Sequence, residues 1–228
     1  IRPPAILEKC EMELRILSVN VAMPRIIGPV NSEPVLSGIA KVPVEAPSVF
    51  VGHINIEGDA QADRSVHGGV DKAVYTYPSE HWPWWQARRF ACVPATFGEN
   101  LTLAGAIEDD IHIGDRFRWG DAVLEISQPR APCYKFAIHT ARPDAPQLMT
   151  ISARCGWYMR VIEEGRAGTA GGAMTPLSIQ SENPSVGEAF RAMFAPRFPR
   201  ETRQKVHDIP ALAAAWREGL AKRLTKSE

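Results

Sequence analysis

Cysteine is scarce in this chain: four in 228 residues, at Cys10, Cys92, Cys133 and Cys155, with no two close enough to form a Cys-x-x-Cys pair. That spacing argues against a disulfide framework and against a zinc site built from paired ligands, and leaves four separate thiols. An excess of charge of either sign is missing too. Lys plus Arg and Asp plus Glu both number 26, so the formal net charge is zero and the basic surplus of a nucleic-acid binder is absent. A balanced total still permits a local basic pocket for a small anion. No apolar run approaches the roughly 20 residues of a membrane helix, and no basic segment leads into an apolar stretch with a small-residue cleavage site. The reading is a cytoplasmic protein that engages neither membrane nor nucleic acid. Internal repeats, a P-loop and a dinucleotide fingerprint are also lacking.

What is present reads mainly as β structure. Met12 opens a β-rich run through Val21, and residues 1–11 read as an upstream extension with no role in the fold. Ser48 to Ile56 alternates with one irregularity, and Ala73 to Tyr77 is a short β-branched and aromatic run. Ser79 is placed to cap a helix over Glu80–Phe90, with Pro83 in its first turn and Trp82, Trp85 and Phe90 as its buried stripe. From Phe97 to Gln128, Gly98, Gly105, Gly114 and Gly120 punctuate short apolar runs, and Gly120-Asp121 marks the turn of a hairpin over 116–127. Further strands are expected over 156–162 and 174–181. Many short strands with a few inserted helices favour a β-barrel over a doubly wound sheet. After Asn183-Pro184 the pattern turns helical. Ser185 caps Val186–Phe194, a short helix covers Thr202–Val206, and Asp208 caps Ile209–Leu224, where Leu212, Trp216, Leu220 and Leu224 recur at helical spacing. The expected division is a barrel over 12–182 and a small helical appendage over 183–228.

Three segments can carry chemistry. In Ser127-Gln-Pro-Arg-Ala-Pro-Cys-Tyr-Lys, two prolines stiffen the approach to Cys133, and Arg130 and Lys135 flank it. Cations close to a thiol favour the thiolate, the form that binds a soft metal or attacks an electrophile. The plainer alternative is a buried, inert cysteine, and it applies with more force to Cys10, Cys92 and Cys155. The second segment, 57–74, is dense in polar groups and glycine. Gly68 and Gly69 permit close approach of backbone to a ligand, and Arg64, His67 and Lys72 can donate to an anion. Most such loops are ordinary turns. The third, Phe97-Gly-Glu-Asn-Leu-Thr, offers Glu99 and Asn100 either to a pocket or to a turn.

In order along the chain, Val66-His-Gly-Gly-Val-Asp-Lys-Ala-Val-Tyr-Thr-Tyr-Pro, Phe97-Gly-Glu-Asn-Leu, Ile113-Gly-Asp-Arg-Phe-Arg-Trp-Gly, Gln128-Pro-Arg-Ala-Pro-Cys-Tyr-Lys and Gly156-Trp-Tyr-Met-Arg-Val resemble the YiiM-type MOSC proteins. The tail resembles, more loosely, the three-helix appendage of the same family. The resemblance implies a MOSC-type β-barrel that binds the molybdenum cofactor (molybdopterin), with Cys133 as the protein ligand to the metal. It implies reduction of N-hydroxylated compounds such as 6-hydroxylaminopurine to amines. On that reading His67 and Glu99 supply protons or orient substrate. Arg64, Lys72, Arg130 and Lys135 hold the cofactor's phosphate, and Gly68, Gly69 and Asn100 line its site. With no dinucleotide or cluster motif of its own, the chain needs a separate electron-donor reductase. The helical tail and the Trp-rich segment offer surfaces for a homodimer. Two alternatives remain: a sulfur carrier with a persulfide on Cys133, and a module that binds the cofactor without catalysis.

Overall fold

The computed structural model describes residues 13–62, 68–169 and 171–225. Its strands are β1 (Leu14–Val21), β2 (Arg25–Val30), β3 (Glu33–Ser37), β4 (Val42–Pro43), β5 (Ser48–Val51), β6 (Val74–Pro78), β7 (Leu101–Ala104), β8 (Arg116–Trp119), β9 (Ala122–Pro129), β10 (Trp157–Glu163), β11 (Gly165–Gly168) and β12 (Ala173–Ser178). Its helices are α1 (Trp82–Gln86), α2 (Tyr134–Thr140), α3 (Ala145–Ser152), α4 (Val186–Phe194), α5 (Arg200–Asp208) and α6 (Ala214–Leu224). Seven strands run in the order β12-β8-β9-β10-β6-β7-β1, and β1 pairs back to β12, which closes a barrel as expected. Closure removes the free sheet edges that would otherwise template aggregation.

Along β1 the buried Leu14 and Ile16 alternate with the exposed Arg15 and Leu17. By contrast β9 is buried at all eight positions. One of its faces fills the barrel while the other is covered, in part by α4. The hairpin β8–β9 turns at Gly120-Asp121 as the sequence predicts, with Gly120 at a positive φ of 59°. A single neighbouring pair, β6 and β7, is parallel. Parallel neighbours need a crossover, and here it carries α1 and the loop that ends in Glu99 and Asn100.

The helical expectations need two corrections. The helix foreseen over Glu80–Phe90 is a 3-10 turn, Ser79–His81, followed by the five residues of α1, and Ser79 provides no side-chain cap. The chain turns back when Arg89 adopts φ 65° and the Phe90 amide reaches Trp85 O at 3.2 Å, so the helix stops one turn early. Trp85 and Phe90 are buried as expected, while Trp82 is only partly so. Near the C-terminus Asp208 ends α5 instead of opening α6, and its carboxylate accepts from Gln204 Nε2 at 2.9 Å. Pro210 falls in the intervening turn, and α6 starts at Ala214. Leu212, Trp216, Leu220 and Leu224 are nonetheless all buried, so the apolar spacing held although the boundary moved. Ser185 caps α4 through a full capping box with Glu188, an arrangement worth about 1 kcal/mol. The tail is tied to the barrel by Ala213 N to Ser127 O, 3.0 Å, and by Arg160 Nη2 to Ala211 O, 2.9 Å.

Candidate functional site

An aromatic cluster sets the position of the cysteine loop. Tyr77 stacks on Phe97 at 3.8 Å between ring centroids, and Trp85 Nε1 donates to the Tyr77 hydroxyl at 2.6 Å. Phe136, fully buried on α2, packs against Phe97 and Trp85. Burying a phenylalanine contributes about 1.5–3 kcal/mol, so α2 is anchored three residues beyond Cys133. Cys133 is the N-cap residue of α2, in extended conformation, and its carbonyl accepts from Phe136 N at 3.1 Å. At the other end of the loop Arg130 N reaches Gly156 O, 3.3 Å. Gly156 has no room for a side chain: at φ 64° a Cβ would lie 2.2 Å from Thr76 O. Its amide donates to the buried Glu108 carboxylate at 2.6 Å. Anchors at both ends leave the partly exposed Cys133 on the wall of a cavity of about 120 Å³.

Around that cavity the fold assembles Arg130, Lys72 and Lys135 with two residues that sequence reasoning did not single out, Lys41 and Asp59. Lys41 Nζ and Asp59 form a close ion pair, both side chains nearly buried. Burial lowers the Lys41 pKa, and Asp59 pulls it back up. Asp59 also accepts from Ala22 N at 2.8 Å and from Asn100 Nδ2 at 2.9 Å. Lys135 Nζ donates to Leu36 O at 3.1 Å. Arg130 is 5% exposed, yet among the described residues no carboxylate pairs with it. Its guanidinium lies 5.1 Å from the Tyr75 ring centroid and 5.0 Å from that of Phe136, with Nη1 at 3.1 Å from Met149 Sδ. Tyr158 lines the same wall, its hydroxyl pKa raised by burial and drawn back by Arg130. Four cations thus face one carboxylate among the described lining residues, a balance that favours an anionic ligand.

The other predicted residues separate. Arg64, His67 and Cys10 lie outside the described residues. Asn100 lines the cavity, but its amide is committed to Tyr75 N, Asp59 and Asn20 O. Gly68 and Gly69 are not among the described lining residues of the cavity, and the Gly69 amide is taken by Gln61 Oε1 at 2.7 Å. Glu99 is not among the described lining residues of the cavity either. It is fully buried, and its oxygens accept from Ala95 N, Phe97 N and Thr102 Oγ1 at 2.9, 2.9 and 2.8 Å, so the carboxylate organises its own loop rather than facing the cavity. Cys92 and Cys155 are buried, and burial raises both thiol pKa values, Cys92 to about 11, which makes them the inert cysteines expected of the plainer reading. The signal for Asp59 was in the polar segment 57–74. Lys41, Tyr75 and Tyr158 carried none, because a lone lysine or a strand aromatic looks like surface or core until the chain closes.

Burial raises the Glu99 pKa from 4.5 to about 7, against the hydrogen bonds from its loop. The folded protein therefore holds a proton that the unfolded chain releases in that window, and stability falls as pH rises through it, by about 3 kcal/mol in total. Glu99→Gln is expected to flatten this slope in urea unfolding between about pH 5 and about pH 8, and an unchanged slope would assign it to another group.

A closed seven-stranded barrel with three helices behind it and one cysteine-bearing cationic cavity is the architecture of a MOSC domain with an α-helical extension. The MOSC domain model matches residues 63–175, and that of the YiiM-like, 3-alpha helix domain matches 184–227. The chain belongs to the YiiM-like MOSC family. It is 36% identical to Protein YiiM of Escherichia coli (strain K12) over 194 residues, 82% of this chain and 84% of that protein. The crystal structure of YiiM from Geobacillus stearothermophilus superposes with a TM-score of 0.77 at 32% identity, covering 93% of this chain and all of that one. A protein of Gibberella moniliformis named as a reductase is 35% identical over 136 residues, 58% of this chain but only 24% of its own length. Among the described residues no helix is long and apolar enough to cross a membrane.

Proposed function

We propose that the protein is a molybdenum cofactor-dependent reductase of N-hydroxylated compounds such as 6-hydroxylaminopurine. The observation that carries the reading is the shared cavity of Cys133 and Arg130: a partly exposed thiol beside a buried guanidinium without a carboxylate partner among the described residues. This donor set fits the cofactor. A thiolate is a soft ligand suited to molybdenum, and Arg130, Lys72 and Lys135 suit the phosphate of the pterin. The kinship with a named reductase supports the same reading.

The net reaction is R–NHOH plus two electrons and two protons to R–NH2 and water. When bound, the cofactor supplies the two-electron chemistry at its metal. The chain supplies the rest. Cys133 Sγ fixes the metal, Arg130 and the two lysines hold the phosphate, and Tyr75 and Tyr158 close the wall. Among the proton-bearing groups that the described cavity presents, Lys41 Nζ, held by Asp59, is our candidate proton donor to the substrate. The electrons come from a separate redox protein. Cofactor-loaded protein given a chemical reductant is expected to convert 6-hydroxylaminopurine to the 6-amino product, and NAD(P)H alone is expected to give none. Protein with one molybdenum per chain that produced no amine would end this reading.

A further inference from the structure

A second cavity, of about 470 Å³, opens beside the first and shares Lys41 with it. The first measures about 120 Å³, and the second falls within the about 300–1,000 Å³ that ligand pockets commonly occupy. The lining of the second is basic: Lys41, Arg89, Arg142 and His139, with Thr96 and Thr140, and no carboxylate among its described residues. Two of the cations are already paired, Lys41 with Asp59 and Arg142 with Asp144 at 2.8 Å. Burial lowers the His139 pKa, which disfavours the charged form of its ring. Arg89 differs from all of these. Among the described residues its guanidinium has no hydrogen bond or ion pair. It stands at φ 65° in the turn that ends α1, where Phe90 N returns to Trp85 O and Arg89 N to Gln86 O. Glycine is the residue that this left-handed position favours, and an arginine there is strained. Ala95, on the same lining, is also left-handed, at φ 69°. Arg89 is therefore a cation, unpaired among the described residues, that the turn ending α1 sets on the cavity lining.

We propose that this second cavity binds the phosphate-bearing part of a substrate, through Arg89, so that N-hydroxylated purine nucleotides are reduced in preference to the free bases. The assignment rests on the reductase reading for its chemistry, but the binding site does not need the cofactor. AMP is the probe, measured by calorimetry on protein without cofactor, with adenosine and inorganic phosphate as controls. AMP is expected to bind at least about tenfold more tightly than adenosine, as a charge-assisted contact to phosphate requires. Arg89→Gly relaxes the backbone while removing the guanidinium. It is expected to keep or raise the unfolding temperature and to lower AMP affinity about tenfold, with adenosine unaffected. Cys133→Ala is expected to bind AMP like the wild type. In cofactor-loaded protein, Arg89→Gly lowers the ratio of kcat/KM for the 6-hydroxylaminopurine ribonucleotide to that for the free base by a similar factor. AMP that binds no better than adenosine, or equally well to Arg89→Gly, overturns the site. Inorganic phosphate that binds as tightly as AMP overturns the nucleotide assignment. Loss of molybdenum chemistry with AMP binding intact would instead count against the reductase reading alone.

Discussion

Cys133→Ala, expressed with cofactor supply, should contain no molybdenum where the wild type approaches one per chain, and should lose hydroxylamine reduction with it. The expectation follows from placement. Of the three described cysteines, Cys92 and Cys155 are buried with thiol pKa values raised, and Cys133 is the one that lines the cationic cavity. A thiol on a loop fixed by Phe136 at one end and Gly156 at the other can present a soft ligand with little further ordering cost. The substitution removes a partly exposed side chain whose sulfur makes no hydrogen bond among the described residues, so folding stability should change by less than about 1 kcal/mol. Mass spectrometry of the intact wild type gives the contrary outcome a clear signature. A persulfide on Cys133 with no metal in either protein would replace the reductase by a sulfur carrier.

Arg130→Met should separate stability from cofactor binding. A buried guanidinium facing two aromatic rings and a thioether has no opposite charge among the described residues to repay its desolvation. Replacing it with methionine in that apolar setting should leave the cofactor-free protein as stable as the wild type or more stable by about 1 kcal/mol. Retention of the cofactor should fall at least about tenfold, since charge-assisted bonds to phosphate are worth about 1.5–3 kcal/mol each. Urea unfolding of the empty proteins and molybdenum content after dialysis check the two halves. A cofactor-free variant weaker by more than about 2 kcal/mol would mean that the stacking on Tyr75 and Phe136 holds the loop, and that Arg130 serves the fold.

The sequence carried the barrel well because alternation and turn chemistry are local. Leu14–Val21, the Gly120-Asp121 hairpin and the Ser185 capping box each need only a few neighbouring residues to declare themselves. It failed where local signals were in balance. Glu80–Phe90 has the apolar spacing of a helix, but whether Arg89 continues the helix or turns left-handed is decided by how Phe90 and Trp85 pack. Helices α2 and α3 were not foreseen, and neither was the β2–β3 hairpin, which the structure places against α2.

Cys133 was legible as the residue of interest from its prolines and flanking cations, and the ordered motifs were enough to place the chain in its family. Its partners were not legible. Lys41, Asp59 and Tyr158 reach the cavity of Cys133 and Arg130 from widely separated segments, because the closed barrel sets β4, the 57–62 turn and β10 beside the β9–α2 loop. Glu99 shows the converse. Next to a glycine and an asparagine it has the look of a pocket residue, and only the tertiary structure turns its carboxylate inward to three donors of its own loop. Residue type and spacing determined which groups could do chemistry. Which of them face solvent and ligand, and which are consumed by unsatisfied backbone amides, was decided by burial, because every buried donor must find an acceptor before any is left for a substrate.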